Sequence, residues 1–350
     1  MTSNLIKRTK TEFIVLPAFH GDCILIKTYD INHNEFTILI DGGTAQTFRY
    51  SLKEELKNIS RINLLILTHI DSDHIAGLIN FFKSSLIDNI NIDEIWMNNP
   101  DLVEVNNGEL ISVKQGDNFK KLILEKKSET KLSQISISDR LLNRSGIEFT
   151  ILSPTSAIVN ELYERWESLR LLQNNKSNIS SVKSAYTLSL EESNKISFSP
   201  DKSINEDIFN SSSISFLLKC PDISLLLLAD SRPEIIVQSL RDFGVNEKDP
   251  LIVDYVKVSH HGSLNNTSQE LLGLIKSNNY LISTNGGTAD HKHPSRETIS
   301  RIVYNSNRND EVLNIFFNYT LNSLRERIGD FINEIDLEHG NWNATSQNRF

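Results

Sequence analysis

The stretch Leu67-Thr68-His69-Ile70-Asp71-Ser72-Asp73-His74-Ile75-Ala76-Gly77 constrains this chain more than any other. The run Ile62–Leu67 before it has the apolar, β-branched character of a buried strand. After it, the apolar residues from Ile75 to Phe82 recur at helical spacing. Two imidazoles and two carboxylates therefore crowd the turn between a strand end and a helix start, where open α/β folds place their ligands. A capped helix start explains one aspartate, Asp71 or Asp73, and leaves both histidines without a reason. A metal site accounts for all four residues.

Other polar motifs also close apolar strands. Glu12–Leu16 and Asp22–Thr28 read as strands joined by Pro17-Ala18-Phe19-His20-Gly21, and Phe36–Ile40 ends at Asp41-Gly42-Gly43. Asp22 and Asp41 either orient metal-bound histidines or close Asx-turns. His20 reads as a surface loop residue. Gln46–Ile59 has one apolar helical face. The strand Ile223–Leu228 runs into Ala229-Asp230-Ser231, where Asp230 is a helix cap or a ligand. Leu251–Val258 reads as one strand ending in Ser259-His260-His261-Gly262-Ser263, and Asp290-His291-Lys292-His293-Pro294 precedes a helix over 295–303. Six of the nine histidines fall in the pairs 69/74, 260/261 and 291/293, each read as ending a strand and starting a helix. Residues 173–207 are polar and rich in Ser, Asn and Lys, which suggests a mobile insertion: a lid, a partner-binding loop or a disordered excursion. Val312–Phe317 reads as the last strand, with a less regular tail from about Asn318.

Composition sets the outer limits. Among 350 residues, 39% are hydrophobic and 23% charged, as in soluble globular proteins. No run approaches the ~18 apolar residues of a membrane span, and the first residues lack the apolar core of a signal peptide. Cys23 and Cys220 fall in predicted strands and form no zinc-finger or disulfide pattern, so the expectation is a reduced, cytoplasmic protein with no membrane partner. A net charge of -9 argues against a broad DNA-coating surface and leaves room for a phosphodiester held by metal ions.

The motifs resemble those of the metallo-β-lactamase superfamily. Its common form is H-x-H-x-D-H; here it reads His69-x-Asp71-x-Asp73-His74. An Asp at the second position is typical of the branch with the nuclease-like domain of the DNA-uptake protein ComEC and the phosphorylcholine esterase-like proteins. Gly21-Asp22, Asp41-Gly42-Gly43, Ser153-Pro154, Asn210-Ser211-Ser212-Ser213 and Lys257–Ser263 match family or branch patterns. The resemblance implies an α/β fold, a four-layer αββα sandwich, as a single domain over 1–350 with its core at about 11–317.

It also implies a cofactor of two divalent metal ions. His69 and Asp71 would hold the first, Asp73 and His74 the second, and Asp230 would bridge them. His261 would complete the second site, leaving His260 to the substrate with Ser263, Asn210 and Ser213. Asp22 and Asp41 would support the ligands from behind. A hydroxide between the metals, about 3.5–4 Å apart, would be the nucleophile, with Asp73 or Asp230 orienting it and His293 serving the leaving oxygen.

Most superfamily hydrolases carry another ligand histidine before the bridging aspartate, and none stands between His74 and His260. This oxygen-rich set favours a harder ion such as manganese, with zinc still open. The expected function is a phosphodiesterase or nuclease acting on a phosphodiester or nucleic acid. The alternatives are hydrolysis of another ester (phosphocholine, lactone or thioester), and a binding or sensing component of a bacterial multi-protein defence system. In either case the insertion at 173–207 is a candidate protein-partner surface.

Overall fold

A computed structural model of the chain describes residues 10–100, 111–171, 186, 188–287, 292–308 and 311–350. Its strands alternate inward and outward residues with period two. Ile38 and Ile40 face one apolar cluster and Leu39 another. Both faces are covered, so the strands read as near-continuous apolar runs.

The first sheet orders its strands as Glu12–Val15, Ile24–Tyr29, Glu35–Ile40, Arg61–Ile66, Asn91–Trp96 and Lys131–Ser133. It is antiparallel at its start and parallel from Glu35–Ile40 onward. The second sheet has eight strands. Its parallel part runs Ser224–Leu227, Tyr255–Lys257, Asn279–Ile282, Leu313–Phe317 and Trp342–Ser346. Ile38, Ile66 and Trp96 of the first sheet meet Phe149, Phe216 and Leu227 of the second in the central core. Helix Ser72–Lys83 covers the outer face of the first sheet through Leu78 and Phe81. Helices Pro233–Asp242 and Arg296–Val303 cover the second through Ile236, Leu240, Ile299 and Ile302. These are the four layers of an αββα sandwich.

Three stretches differ from the sequence expectation. The tail beyond Asn318 is regular. Helix Leu321–Ile328 buries Leu324 and Ile328, and Trp342–Ser346 adds a parallel strand to the second sheet. Phe350 then stacks on Phe13 and exchanges two backbone hydrogen bonds with it, so the tail ties an edge of one sheet to an edge of the other. The core thus extends past residue 317.

The described part of the polar stretch, residues 188–207, is docked. Ser189 caps helix Leu190–Asn194, Leu190 is buried, and Arg296 and Arg232 donate to the carbonyls of Leu188 and Lys202. Arginine side chains hold in place a segment whose composition reads as solvated; most of 172–187 lies outside the described residues. Finally, Leu251–Val258 is two short strands, because Leu251–Ile252 leaves the sheet to pair with Ile275–Lys276. Among the described residues no helix is long and apolar enough to cross a membrane.

Candidate metal centre

Asp41, His69, Asp230 and His260 all follow the carboxyl ends of strands, on the edge where parallel sheets offer a ligand crevice. The first sheet brings the His69–His74 turn there and the second brings Asp230 and the 259–262 turn. Helix Ser72–Lys83 starts with Asp71 in the N-cap position, yet Asp71 makes no side-chain cap bond. Asp230 is no cap either, since Arg232 holds that position for helix Pro233–Asp242. Both carboxylates are left for another task.

Close backbone contacts set the turn. A Cβ on Gly21 would lie 1.7 Å from the Asp73 carbonyl oxygen, and one on Gly77 would lie 1.8 Å from that of Gly42. Glycine is needed because backbone packs on backbone. Gly42 N–H donates to the His74 carbonyl and Gly77 N–H to that of Gly43, locking the Asp41-Gly42-Gly43 loop onto the helix.

Four imidazoles converge on one carboxylate oxygen. The Nε2 atoms of His69, His74, His260 and His261 stand 4.0, 3.4, 3.7 and 3.6 Å from Asp230 Oδ2. His261 Nε2 is also 3.5 Å from Asp73 Oδ2, and His69 Nε2 is 3.7 Å from Asp71 Oδ2. Two sets of donor atoms are each gathered closely enough to share an ion: His69, His74 and Asp230, and Asp73, His74 and His261. The Nε2 atoms of His69, His74 and His261 and Oδ1 of Asp230 are buried without a hydrogen-bond partner. Orphaned buried polar atoms are costly. Two donors each about 2.1 Å from a shared divalent ion stand roughly 3–3.5 Å apart. The donor set therefore fits divalent metal.

The opposite ring atoms are engaged. His74 Nδ1 lies 2.8 Å from Asp41 Oδ2, and the same carboxylate accepts from the Thr68 N–H and hydroxyl. The Thr68 oxygen meets His69 Nδ1 at 3.2 Å, and His261 Nδ1 lies 2.9 Å from the Ser283 carbonyl. With Nδ1 donating, each Nε2 presents a lone pair to the centre. Asp22 stands behind His261, its Oδ1 3.5 Å from Nδ1, while its Oδ2 pairs with the buried Lys257 ammonium at 2.6 Å.

The charges are strongly coupled. Burial disfavours the His74 and His261 imidazolium forms, but Asp230 outweighs it, aided by Asp41 at His74 and by Asp22 and Asp73 at His261. His74 is held well above the ordinary histidine range and His261 is pushed up to about 10. His260 goes down, because burial there exceeds the pull of Asp230. Burial raises the Asp73 and Asp230 carboxyls, yet the facing histidines bring both below the usual carboxylate range. The cluster attracts positive charge, and a metal ion would bind by displacing protons.

The remaining site candidates are dispersed. Ser263 is buried, but its oxygen accepts from the Asn265 N–H in a loop, and the next helix begins only at Gln269, so it does not start a helix. His260 and His261 lie in a left-handed turn rather than at a helix start. Asn210 donates to Asp207 and keeps its Oδ1 unpartnered; the Ser213 hydroxyl is buried and unpartnered, one residue before the Ile214 N–H that bonds the Thr68 carbonyl. The His293 ring lies 5.5 Å from that of His260, between centroids. His291 lies outside the described residues. His20 is half-buried and feels the charges of Asp73, His261 and His74. Sequence alone makes it a surface histidine; it stands one residue before Gly21, whose backbone packs against the Asp73 carbonyl, a contact that no local pattern in the sequence announces. Thr68, Lys257 and Asn266 were also missed as partners. A cleft of about 650 Å³ at the opposite edge contains Arg61, Asp93, Glu94 and Arg144, whose charges already pair with one another.

Residues 16–149 match the family described as the metallo-beta-lactamase superfamily. No curated protein matches the chain. Among solved structures, a diphosphatase from the PhnP family is 9% identical, covering 97% of this chain and 97% of its own, with a TM-score of 0.42. Zinc-bound PqqB from Methylobacterium extorquens is 9% identical, with 97% and 99% coverage and a TM-score of 0.42. The E377D mutant of the CmlA beta-hydroxylase is 13% identical over 98% of this chain, with a TM-score of 0.42, and the chain spans 53% of that protein's length.

Proposed function

We propose that this chain, which carries a metallo-beta-lactamase superfamily domain, is a metal-dependent hydrolase of phosphodiesters, with DNA or RNA as its substrate class. The observation that carries the reading is the buried convergence of imidazole Nε2 atoms on the Asp230 carboxylate. His69, Asp71 and Asp230 would hold one divalent cation and Asp73, His74 and His261 the other. Bound there, zinc or manganese would acidify a water and stabilise developing charge on phosphoryl oxygens.

The chain's own groups supply the rest. Asp41 and Thr68 fix the rings of His74 and His69 with their lone pairs inward. Asp73, 21% exposed at its side chain, is the more open of the two central carboxylates and is the one to orient a water. His293 stands at the rim beyond His260, where it can hand a proton to a leaving oxygen. The ComEC-like branch rests on His69-x-Asp71-x-Asp73-His74 and on Lys257–Ser263.

The test is Asp73→Ala beside the native protein, each supplied with Mn²⁺ or Zn²⁺ and offered linear and circular DNA, RNA and bis-p-nitrophenyl phosphate. Metal-dependent cleavage by the native chain, reduced about 100-fold or more in the variant, is the expected result. Equal turnover by both proteins overturns the mechanism. Turnover of carboxylic esters with inert phosphodiesters assigns the site to another ester.

A further inference from the structure

On the proposed reading, the ion held by His69 and Asp71 has one nitrogen ligand where the other has two, and no histidine stands between His74 and His260 to complete it. We infer that His260 is the missing nitrogen ligand of that ion, with Asn266 as the residue that positions it. This rests on the proposed function for the existence of the metal pair, but not for the identity of the ligand.

Neighbouring side chains ordinarily diverge along a strand. Here His260, His261 and Gly262 have φ of 45°, 54° and 85°, a left-handed turn. The turn sends both imidazoles toward one atom, with Nε2 of His260 at 3.7 Å and Nε2 of His261 at 3.6 Å from Asp230 Oδ2. It is bolted to the Asp230 loop: the His260 N–H donates to the Ala229 carbonyl and the Ser259 hydroxyl to the Ser231 carbonyl.

Asn266 sets the proton on the ring. Its amide nitrogen donates to the carbonyls of Asp230 and Ser231 at 3.0 and 3.2 Å, which fixes which end of the amide is oxygen. Its Oδ1 then lies 3.1 Å from His260 Nδ1, so Nδ1 carries the proton. Nε2 is left with a lone pair aimed at a carboxylate oxygen, an arrangement that a cation between them resolves. His69, His74 and His261 are held in the same way, by Thr68, Asp41 and the Ser283 carbonyl. With Nδ1 held by Asn266, the free Nε2 faces Asp230 Oδ2 at 3.7 Å alongside those of His69, His74 and His261, so the geometry favours metal ligation over the substrate contact expected from the sequence.

The experiment compares the native chain with His260→Gly, which tolerates the left-handed turn, and with Asn266→Ala. Metal bound after Mn²⁺ or Co²⁺ titration is counted by mass spectrometry, and the Co²⁺ visible spectrum reports ligand nitrogen. Circular dichroism checks the fold. Two ions per native chain are expected. His260→Gly should keep one tight ion, with the second weakened at least about 100-fold and the cobalt spectrum altered. Asn266→Ala should weaken the same ion by about 10–100-fold. Two ions of unchanged affinity and spectrum in folded His260→Gly would overturn the ligand assignment, and would leave the hydrolase reading intact if only turnover fell. No metal in the native chain would overturn both.

Discussion

Lys257 and Asp22 carry much of the cost of building this centre. Both are buried, 235 positions apart in sequence, and joined at 2.6 Å, with the ammonium also donating to the Val258 carbonyl. Burial pushes the Asp22 carboxyl up, and Lys257 beside it more than reverses that. Removing one partner of a buried pair leaves an uncompensated charge. Lys257→Met should therefore lower stability by roughly 3–5 kcal/mol in urea unfolding. Adding Asp22→Asn should recover much of the loss; equal loss in single and double variants would deny the pair this role. Backbone strain collects at the same place. Asp41, Ala229, His260 and His261 all take positive φ, each at a cost of roughly 1–2 kcal/mol. The residue types of the centre were legible because His and Asp clustered after apolar strands. The pairing of Lys257 with Asp22 was not, since nothing in a single chain's local pattern links residues so far apart. The left-handed turn was equally hidden, because histidine has no propensity that announces it.

Among elements, the strand Asn91–Trp96 shows how the two sheets are joined away from the histidines. Its Glu94 accepts from Arg144 at 2.7 and 3.0 Å, and from Lys131, Ser133 and the Trp96 indole. Arg144 belongs to the second sheet, so this carboxylate is a charged tie between sheets. Burial raises its pKa, but Arg144 and Lys131 outweigh burial and bring it from 4.5 down to about 2. A depressed folded-state value stabilises the fold above the unfolded value, and that contribution disappears as pH falls from about 4.5 toward about 2. Glu94→Gln should be less stable than the native chain at pH 7, and the gap in urea midpoint should close across that acid window. A gap that stays constant from pH 7 to pH 3 would contradict the linkage.

The strands themselves were readable from runs such as Ile62–Leu67, since burial on both faces demands continuous apolar sequence. Reading Leu251–Val258 as one strand failed because the same apolar pattern serves two short ladders. The tail failed for the opposite reason: Trp342–Ser346 contributes one buried aromatic, one small alanine and three polar residues at a sheet edge, too weak a signal to read as a strand.

At the scale of the whole molecule, the candidate centre exists only because two sheets meet. The first supplies His69, Asp71, Asp73 and His74, the second supplies Asp230, His260 and His261, and neither set alone gathers the nitrogens around Asp230 Oδ2. The central core and the residue 350 tie hold those two halves in register. The most direct measurement strips the purified protein with a chelator and follows bis-p-nitrophenyl phosphate turnover as Mn²⁺ or Zn²⁺ is added back. The account predicts no turnover in the stripped protein and recovery that reaches its plateau at two ions per chain. Turnover that survives stripping, or a chain loaded with two ions that leaves every phosphodiester intact, would contradict it.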